Sequence, residues 1–168
     1  YEVAGYSLIS KTKRFNALVF GGEKATVMAG RQEVLGHHNI RMIPVKEDMS
    51  HLFLVNEALD NNEIMSMPAD RIIGSAKSVT SVFMDAEARF PAGPLSVATM
   101  KGLDVLAVNV MKTSAKHYKV YVARLSYDKH APRRQQMQQL ADSYVKELER
   151  RVRQYPLQWF NFYDFWSR

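Results

Sequence analysis

The sequence contains no cysteine, which excludes disulfide bonds and thiolate metal sites. It has no uninterrupted apolar run near the ~20 residues that a membrane-spanning helix requires. The opening residues, Tyr1 to Gly5, have neither the basic start nor the apolar core of a signal peptide, and no methionine begins the chain, so we expect a fragment or a processed piece. The glycine patterns of P-loops and dinucleotide-binding folds are missing as well, so nucleotide-dependent chemistry has no support.

The overall amino-acid composition is typical of a globular protein. Hydrophobic residues make up 46% of the 168 positions and charged residues 24%, which suits one domain with a real core. The net charge is +6. A basic surface can serve solubility alone, or it can attract an anionic partner such as a phospholipid surface. Nucleic acid is a disfavoured partner, because the basic residues are scattered and no recognised binding motif occurs.

Short apolar segments alternate with amphipathic ones along most of the chain. They predict strands that alternate with helices, one of which Asp48 and Ser50 can cap and another of which begins near Pro91. This alternation predicts an α/β fold with a mostly parallel sheet flanked by helices on both faces. Sites in such sheets gather in the loops that follow the strands, here Gly21-Gly22, 68–76 and 84–94. The predicted strands are 16–20, 40–45, 63–67, 78–83, 103–110 and 118–125.

Residues 129–168 differ in character from the α/β core predicted at 1–128. From Gln136 to Arg153 the apolar residues recur on one face, which predicts an amphipathic helix. The segment Tyr155–Trp166, called the aromatic tail below, has seven aromatic residues in twelve positions. These rings can extend the core, or they can lie at a bilayer interface, where Trp and Tyr are favoured. Both interpretations stay open on the sequence alone.

Two short segments are candidates for ligand binding. The run Arg89-Phe90-Pro91-Ala92-Gly93-Pro94 combines a helix start with a glycine and a cation, which suits a phosphate or a carboxylate. It can equally be a plain strand-to-helix turn. Asp70-Arg71 follows the third predicted strand, where the guanidinium can hold a head group. The same pair can instead form a surface ion pair worth under about 1 kcal/mol.

The histidines predict neither a metal site nor a local acid–base pair. None is followed by a carboxylate five positions later, and the one adjacent pair diverges in direction on any helix or strand. We therefore expect no metal site, and no Ser-His-Asp grouping can be defined. The histidines are His37, His38, His51, His117 and His130.

Four blocks, in consistent order, resemble one protein family. They are Tyr1 to Gly5, Met67 to Arg71, Phe83 to Pro94 and the aromatic tail. The family is that of the lipid A biosynthesis acyltransferases, the lauroyl and myristoyl transferases of the lysophospholipid acyltransferase superfamily, and the tail resembles a predicted-acyltransferase branch. The resemblance implies one glycerolipid-acyltransferase-like domain over 1–168, truncated at its N-terminus, with a C-terminal helix and the aromatic tail.

The resemblance also implies the catalytic group. Members of the family carry a histidine followed five positions later by an acid, and the alignment places that acid on Glu2 and the tryptophan before it on Tyr1. The histidine would then lie four residues before Tyr1. In the family it takes the proton of the acceptor hydroxyl, which is a poor nucleophile without a base, and the acid orients it. Glu2 is the catalytic residue implied within the chain.

The resemblance assigns substrate binding to further positions. Phe90-Pro91-Ala92-Gly93 resembles the superfamily's Phe-Pro-Glu-Gly block, which helps to hold the acceptor. Ala92 stands where the block has glutamate, which makes a glycerol-3-phosphate acceptor less fitting. The substrate-binding residues implied are Tyr1, Asp70, Arg71, Arg89, Phe90, Pro91 and Gly93.

The implied activity is transfer of a fatty acyl group to a hydroxyl of a lipid A-type or other amphipathic lipid acceptor. The acyl donor is acyl-ACP or acyl-CoA, a co-substrate, and no cofactor is expected. The expected partners are acyl carrier protein or a CoA thioester, the lipid acceptor and a membrane surface, without nucleic acid. The expected location is peripheral, on the cytoplasmic face of the bacterial inner membrane. The alternative is a catalytically silent module that binds lipid or carrier protein.

Overall fold

The computed structural model describes residues 11–20, 39–46, 48–70, 72, 77–162 and 165–166. The chain divides into two compact units, Tyr1–Pro68 and Ala69–Arg168. Each unit has its own strands and its own buried residues. The prediction of a single domain divided near residue 128 stays a prediction.

The first unit contains a parallel sheet and a helix. Its described elements are β1 (Phe15–Phe20), β2 (Ile40–Val45), α1 (His51–Asp60) and β3 (Ile64–Ser66). β1 lies between β2 and β3, and both pairings are parallel. Pro44 of β2 pairs with Val19 of β1. Among the described strands β2 is at the sheet edge, where a residue without an amide hydrogen is tolerated.

A buried asparagine ties the strands of the first unit together. The Asn16 side chain is fully buried, and its amide donates to the Glu63 carboxylate at 2.8 Å and to the Ile64 carbonyl at 3.2 Å. A buried polar group without such bonds would cost roughly 1–3 kcal/mol. Ile43 of β2 is also fully buried, and Val55 of α1 is 1% exposed.

The second unit contains two antiparallel strand pairs and two helices among its described residues. β4 pairs with β5, and β6 pairs with β7. A one-turn 3-10 helix, Pro156–Gln158, follows the last helix. The elements are β4 (Ser78–Phe83), β5 (Ala86–Pro91), α2 (Ala92–Met100), β6 (Val105–Lys112), β7 (Tyr118–Leu125) and α3 (Arg133–Gln154).

α3 packs its apolar face against both strand pairs. The predicted one-face pattern is confirmed, because the buried positions of α3 recur at helical spacing. Burying each Leu, Val or Phe side chain contributes about 1.5–3 kcal/mol relative to exposure. One cluster comprises Phe83, Ala88, Phe90, Val145, Leu148, Val152 and Phe165. The other comprises Leu95, Ala98, Ala107, Leu125, Leu140 and Ala141.

The α/β class predicted from the sequence is confirmed, but the mostly parallel sheet flanked by helices is not. Three described strands are parallel, and four form antiparallel pairs. Residues 84–94, predicted as a loop, contain β5, because Met84 and Asp85 form a tight turn with φ of 55° and 67°. Such turns usually carry Asn-Gly, so Met-Asp gave no hairpin signal.

The aromatic tail divides between core and surface. Trp159, Phe165 and Trp166 surround Phe83, with ring centroids 5.2, 5.5 and 6.0 Å away. Leu157 and Phe160, by contrast, are exposed, as is Phe162. The core interpretation therefore describes Trp159 and Phe165, the bilayer interpretation stays a prediction, and Tyr163 and Asp164 lie outside the described residues.

Glu149 connects α3 to the turn between β4 and β5, and this contact predicts a pH dependence. Its carboxylate accepts the Met84 amide at 3.0 Å and pairs with Arg153 at 2.7 Å, and these bonds lower the pKa of Glu149 below 4.5. A carboxyl group whose pKa is lower in the folded state than in the unfolded state stabilises the fold at pH values above its unfolded-state pKa. This stability is lost as the pH falls through the folded-state pKa.

We expect Glu149→Gln to flatten the fall in the free energy of unfolding between about pH 5 and pH 3, measured by urea unfolding. The matched control is Glu87→Gln, on the exposed side of β5, which should retain the wild-type slope. An identical slope for Glu149→Gln and wild type would contradict the role assigned to this carboxylate.

Candidate functional site

The candidate site is built around the junction where β5 runs directly into α2. Successive side chains of a strand point to opposite faces, so burial of Ala88 and Phe90 turns Glu87 and Arg89 outward. The Arg89 side chain is exposed, and no hydrogen bond or ion pair joins it to another described side chain. A predicted head-group cation therefore lies at the surface beside the helix start.

Phe90 itself is a core residue. Its side chain is 1% exposed, and its ring packs edge-on against Phe83 at 6.1 Å, Tyr144 at 6.2 Å and Phe165 at 5.6 Å. A ring in this position fixes the end of β5 and leaves no face for a ligand. Phe90 therefore positions its neighbours, which differs from the direct substrate contact implied by the resemblance.

The first turn of α2 leaves one backbone amide open. Pro91 is the N-cap residue, with φ −63° and ψ 126°, and the Ala92 amide donates to the Lys77 carbonyl at 3.2 Å. Pro94 has no amide hydrogen, so Gly93 carries the first amide of the helix without a described partner. The first turn holds no acidic residue and no capping side chain, so the positive end of the helix dipole is not neutralised there.

Gly93 is not required by the backbone. Its φ is not in the left-handed region, and a Cβ added to it would meet no atom within 4 Å. The glycine therefore leaves open space above the first turn of α2. Such space allows a ligand to approach the backbone closely, which is a recurrent use of glycine.

Asp70 is near Tyr144, which packs on Phe90. Burial raises the pKa of the Tyr144 hydroxyl, and the negative charge of Asp70 raises it further. Asp70 is half-buried, unlike the exposed Arg89. Tyr144 belongs to the apolar face predicted for residues 136–153, and no sequence signal marks its hydroxyl as a neighbour of Asp70.

Three predicted site residues lie outside the described residues, namely Tyr1, Glu2 and Arg71. Of the others, Phe90, Pro91 and Gly93 meet at the junction, with Arg89 next to them. Within the described ranges no group of three or more His, Asp or Glu side chains is arranged to hold a metal ion. Likewise, no helix in those ranges combines the length and hydrophobicity that crossing a bilayer requires.

An open groove of about 650 Å³ lies between β4 and α3. The Ser81 hydroxyl in its wall donates to Asp142 at 2.7 Å. The groove contains cations and carboxylates together, and none of the predicted site residues lines it. Its lining residues are Ser81, Val82, Asp142, Lys146, Glu149, Arg150 and Arg153.

Comparison with known proteins identifies one family. Residues 25–168 match the model of the family described as bacterial lipid A biosynthesis acyltransferase. The matched range contains Asp70, Arg71 and the junction, whereas Tyr1 and Glu2 precede it. No curated protein matches the chain.

The open space at Gly93 predicts a contrast between two glycines. Gly93→Ala should leave the free energy of unfolding unchanged or raise it by up to about 1 kcal/mol, because alanine favours the helix. Gly102→Ala should lower it by about 1–2 kcal/mol, because Gly102 has φ +61°. Urea unfolding of both variants measures this. A destabilised Gly93→Ala would show that the glycine serves the fold.

Proposed function

Because the chain belongs to the bacterial lipid A biosynthesis acyltransferase family, we propose that it transfers a fatty acyl group to a hydroxyl of a lipid A-type acceptor. The donor in this proposal is acyl-ACP or acyl-CoA, and the acceptor class extends to other amphipathic lipids. The family match over residues 25–168 is the observation that carries the proposal. The family also favours a mostly parallel sheet with helices on both faces as the underlying architecture.

The reaction is an acyl transfer from sulfur to oxygen. The acceptor oxygen attacks the thioester carbonyl, a C–O bond forms, the C–S bond breaks, and the carrier leaves as a thiol. The base that takes the hydroxyl proton is the histidine that the resemblance places ahead of Tyr1. The Glu2 carboxylate orients that imidazole and stabilises the imidazolium that forms. Glu2 is thus a positioning residue in the proposal.

The junction has features suited to the acceptor head group. Arg89 supplies an exposed charge, and Gly93 supplies an open amide at a helix start whose dipole is not neutralised. Both features favour phosphate or carboxylate groups. Phe90 and Pro91, both buried, fix the backbone that carries these groups. Arg71 and Asp70 are further proposed head-group residues, on the resemblance.

The partners and location follow from the same proposal. A chain with net charge +6 favours an acidic carrier protein or anionic lipid. We place the protein peripherally on the cytoplasmic face of the inner membrane, where a thioester carrier and a lipid acceptor are both accessible.

Acyl transfer tests the function directly. The assay supplies acyl-ACP or acyl-CoA and an under-acylated lipid A precursor to the protein that includes the encoded sequence ahead of Tyr1, and mass spectrometry detects the ester product. Glu2→Gln should lower kcat by about 100-fold or more with little change in the acceptor KM, as expected for loss of base orientation. Binding of lipid without any transfer would replace the proposal with the catalytically silent alternative.

Arg89 tests the head-group site in the same assay. Arg89→Gln should raise the acceptor KM by about tenfold with a small change in kcat, because a charge-assisted hydrogen bond contributes about 1.5–3 kcal/mol. The matched control is Arg134→Gln, an exposed arginine of α3, which should act as wild type. Equal KM values for Arg89→Gln and the control would remove Arg89 from the site.

A further inference from the structure

The β6–β7 pair exposes an apolar face. Alternate residues of the two strands share this face, which carries six apolar side chains and two basic ones. Val108 and Val122, paired across the strands, are 57% and 60% exposed. No described residue of the second unit buries them. The apolar side chains are Leu106, Val108, Val110, Tyr118, Val120 and Val122.

The strand register orders this face into four rows. Two valine pairs, Val108 with Val122 and Val110 with Val120, occupy the centre. At one end Leu106 pairs with Arg124, and at the other Lys112 pairs with Tyr118. A patch of four valines is thus bounded at each end by a cation beside a large apolar or aromatic side chain.

The opposite face of the same strands is already packed. Ala107 and Leu125 are buried against α2 and α3, and the Tyr121 ring lies under the Arg151 guanidinium at 3.9 Å. A sheet with one solvated face ordinarily alternates apolar and polar residues along each strand. β6 and β7 are apolar on both faces, so their sequence is suited to a cover on the second face as well.

The surroundings of the valine patch are cationic. Residues 105–125 contain four basic residues, Lys112, Lys116, Lys119 and Arg124, and no acidic one. Asp104, just before β6, pairs with Arg124 at 3.1 Å and Lys129 at 3.2 Å. One carboxylate is therefore shared between two cations, and the remaining lysines keep the hairpin positive.

A second copy of the chain is a poor cover for this face. Two strands of eight residues present about 300 Å², whereas a stable dimer buries about 800 Å² on each partner. Pairing along the β6 edge is blocked at Lys112, because the Gln158 side chain occupies both its amide and its carbonyl at 2.8 Å. Leu157, which precedes Gln158 in the 3-10 helix, is exposed.

From these observations we infer that the valine patch of the β6–β7 pair docks onto an anionic phospholipid surface. The valines enter the interface, the terminal cations contact lipid phosphates, and Tyr118 lies at the boundary between apolar and wet surroundings. The inference deepens the proposed function and rests on it for the location of the acceptor in a membrane. Vesicle binding requires no turnover, so a protein that fails to bind vesicles can still transfer acyl groups, and a protein without transferase activity can still bind vesicles.

Vesicle sedimentation of the full chain tests the inference. On vesicles of phosphatidylglycerol and phosphatidylethanolamine, the double variant Val108→Thr/Val122→Thr should bind about tenfold more weakly than wild type. Threonine has the shape of valine, but it buries less apolar area in the lipid interface. Val82→Thr is the matched control, since Val82 is an equally exposed valine on β4, and it should bind as wild type. Circular dichroism and unfolding of each variant verify that the fold is retained.

Charge supplies a second arm of the same experiment. Lys112→Gln should weaken binding to the anionic vesicles about fivefold, and wild type should bind phosphatidylcholine vesicles at least tenfold more weakly than the anionic ones. The inference is overturned if the valine pair binds as wild type, if wild type ignores both vesicles, or if wild type forms a dimer that the valine substitutions dissociate.

Discussion

Burial of Phe90 is the constraint on which the candidate site depends. Its ring contacts Phe83 and Phe165, and because side chains alternate along β5, placing it inside turns Arg89 outward. The same packing holds Pro91 at the start of α2, which leaves the Gly93 amide at the surface of the first turn. Removing the ring would cost about 3–5 kcal/mol in the core and would release the junction as well. Stability and head-group geometry are therefore linked through one aromatic residue.

α3 supplies the second organising element, because it carries polar as well as apolar contacts of the second unit. Glu147 and Arg151 form a buried ion pair at 2.8 Å, and Arg151 also covers the Tyr121 ring and bonds Gln154. The Tyr121 and Tyr155 hydroxyls meet at 2.6 Å, so β7 and the start of the aromatic tail are joined beside this pair. The hydrogen bond to Tyr155 lowers the pKa of Tyr121. Such a pair matters for stability mainly because loss of either partner would leave a buried charge without a counter-charge.

The sequence predicted the bounds of helices and strands better than it predicted which strands pair. β2, β4 and β7 were placed at their observed bounds, and α3 within a few residues, since apolar spacing fixes them locally. β5 was missed because Met84-Asp85 takes positive φ without the usual turn residues, and this hid an antiparallel pair. β6 was predicted as a strand at 103–110, but its apolar run does not indicate which face is covered, and Val108 on the outward face is exposed. The helix start near Pro91 was predicted, but the strand before it, the burial of Phe90 and the nearness of Asp70 to Tyr144 depend on tertiary packing that no local pattern encodes.

The claim that the β5–α2 junction holds an anionic head group can be measured without turnover. Amide chemical shifts of the nitrogen-15-labelled protein, titrated with a phosphorylated glucosamine head-group analogue, report each backbone group separately. We predict that the Gly93 amide shifts in a saturable manner. The Ala92 amide, already bonded to the Lys77 carbonyl, and the distant Gly102 amide should change little. Shifts confined to the groove between β4 and α3, or an unchanged Gly93 amide at saturating analogue, would contradict it.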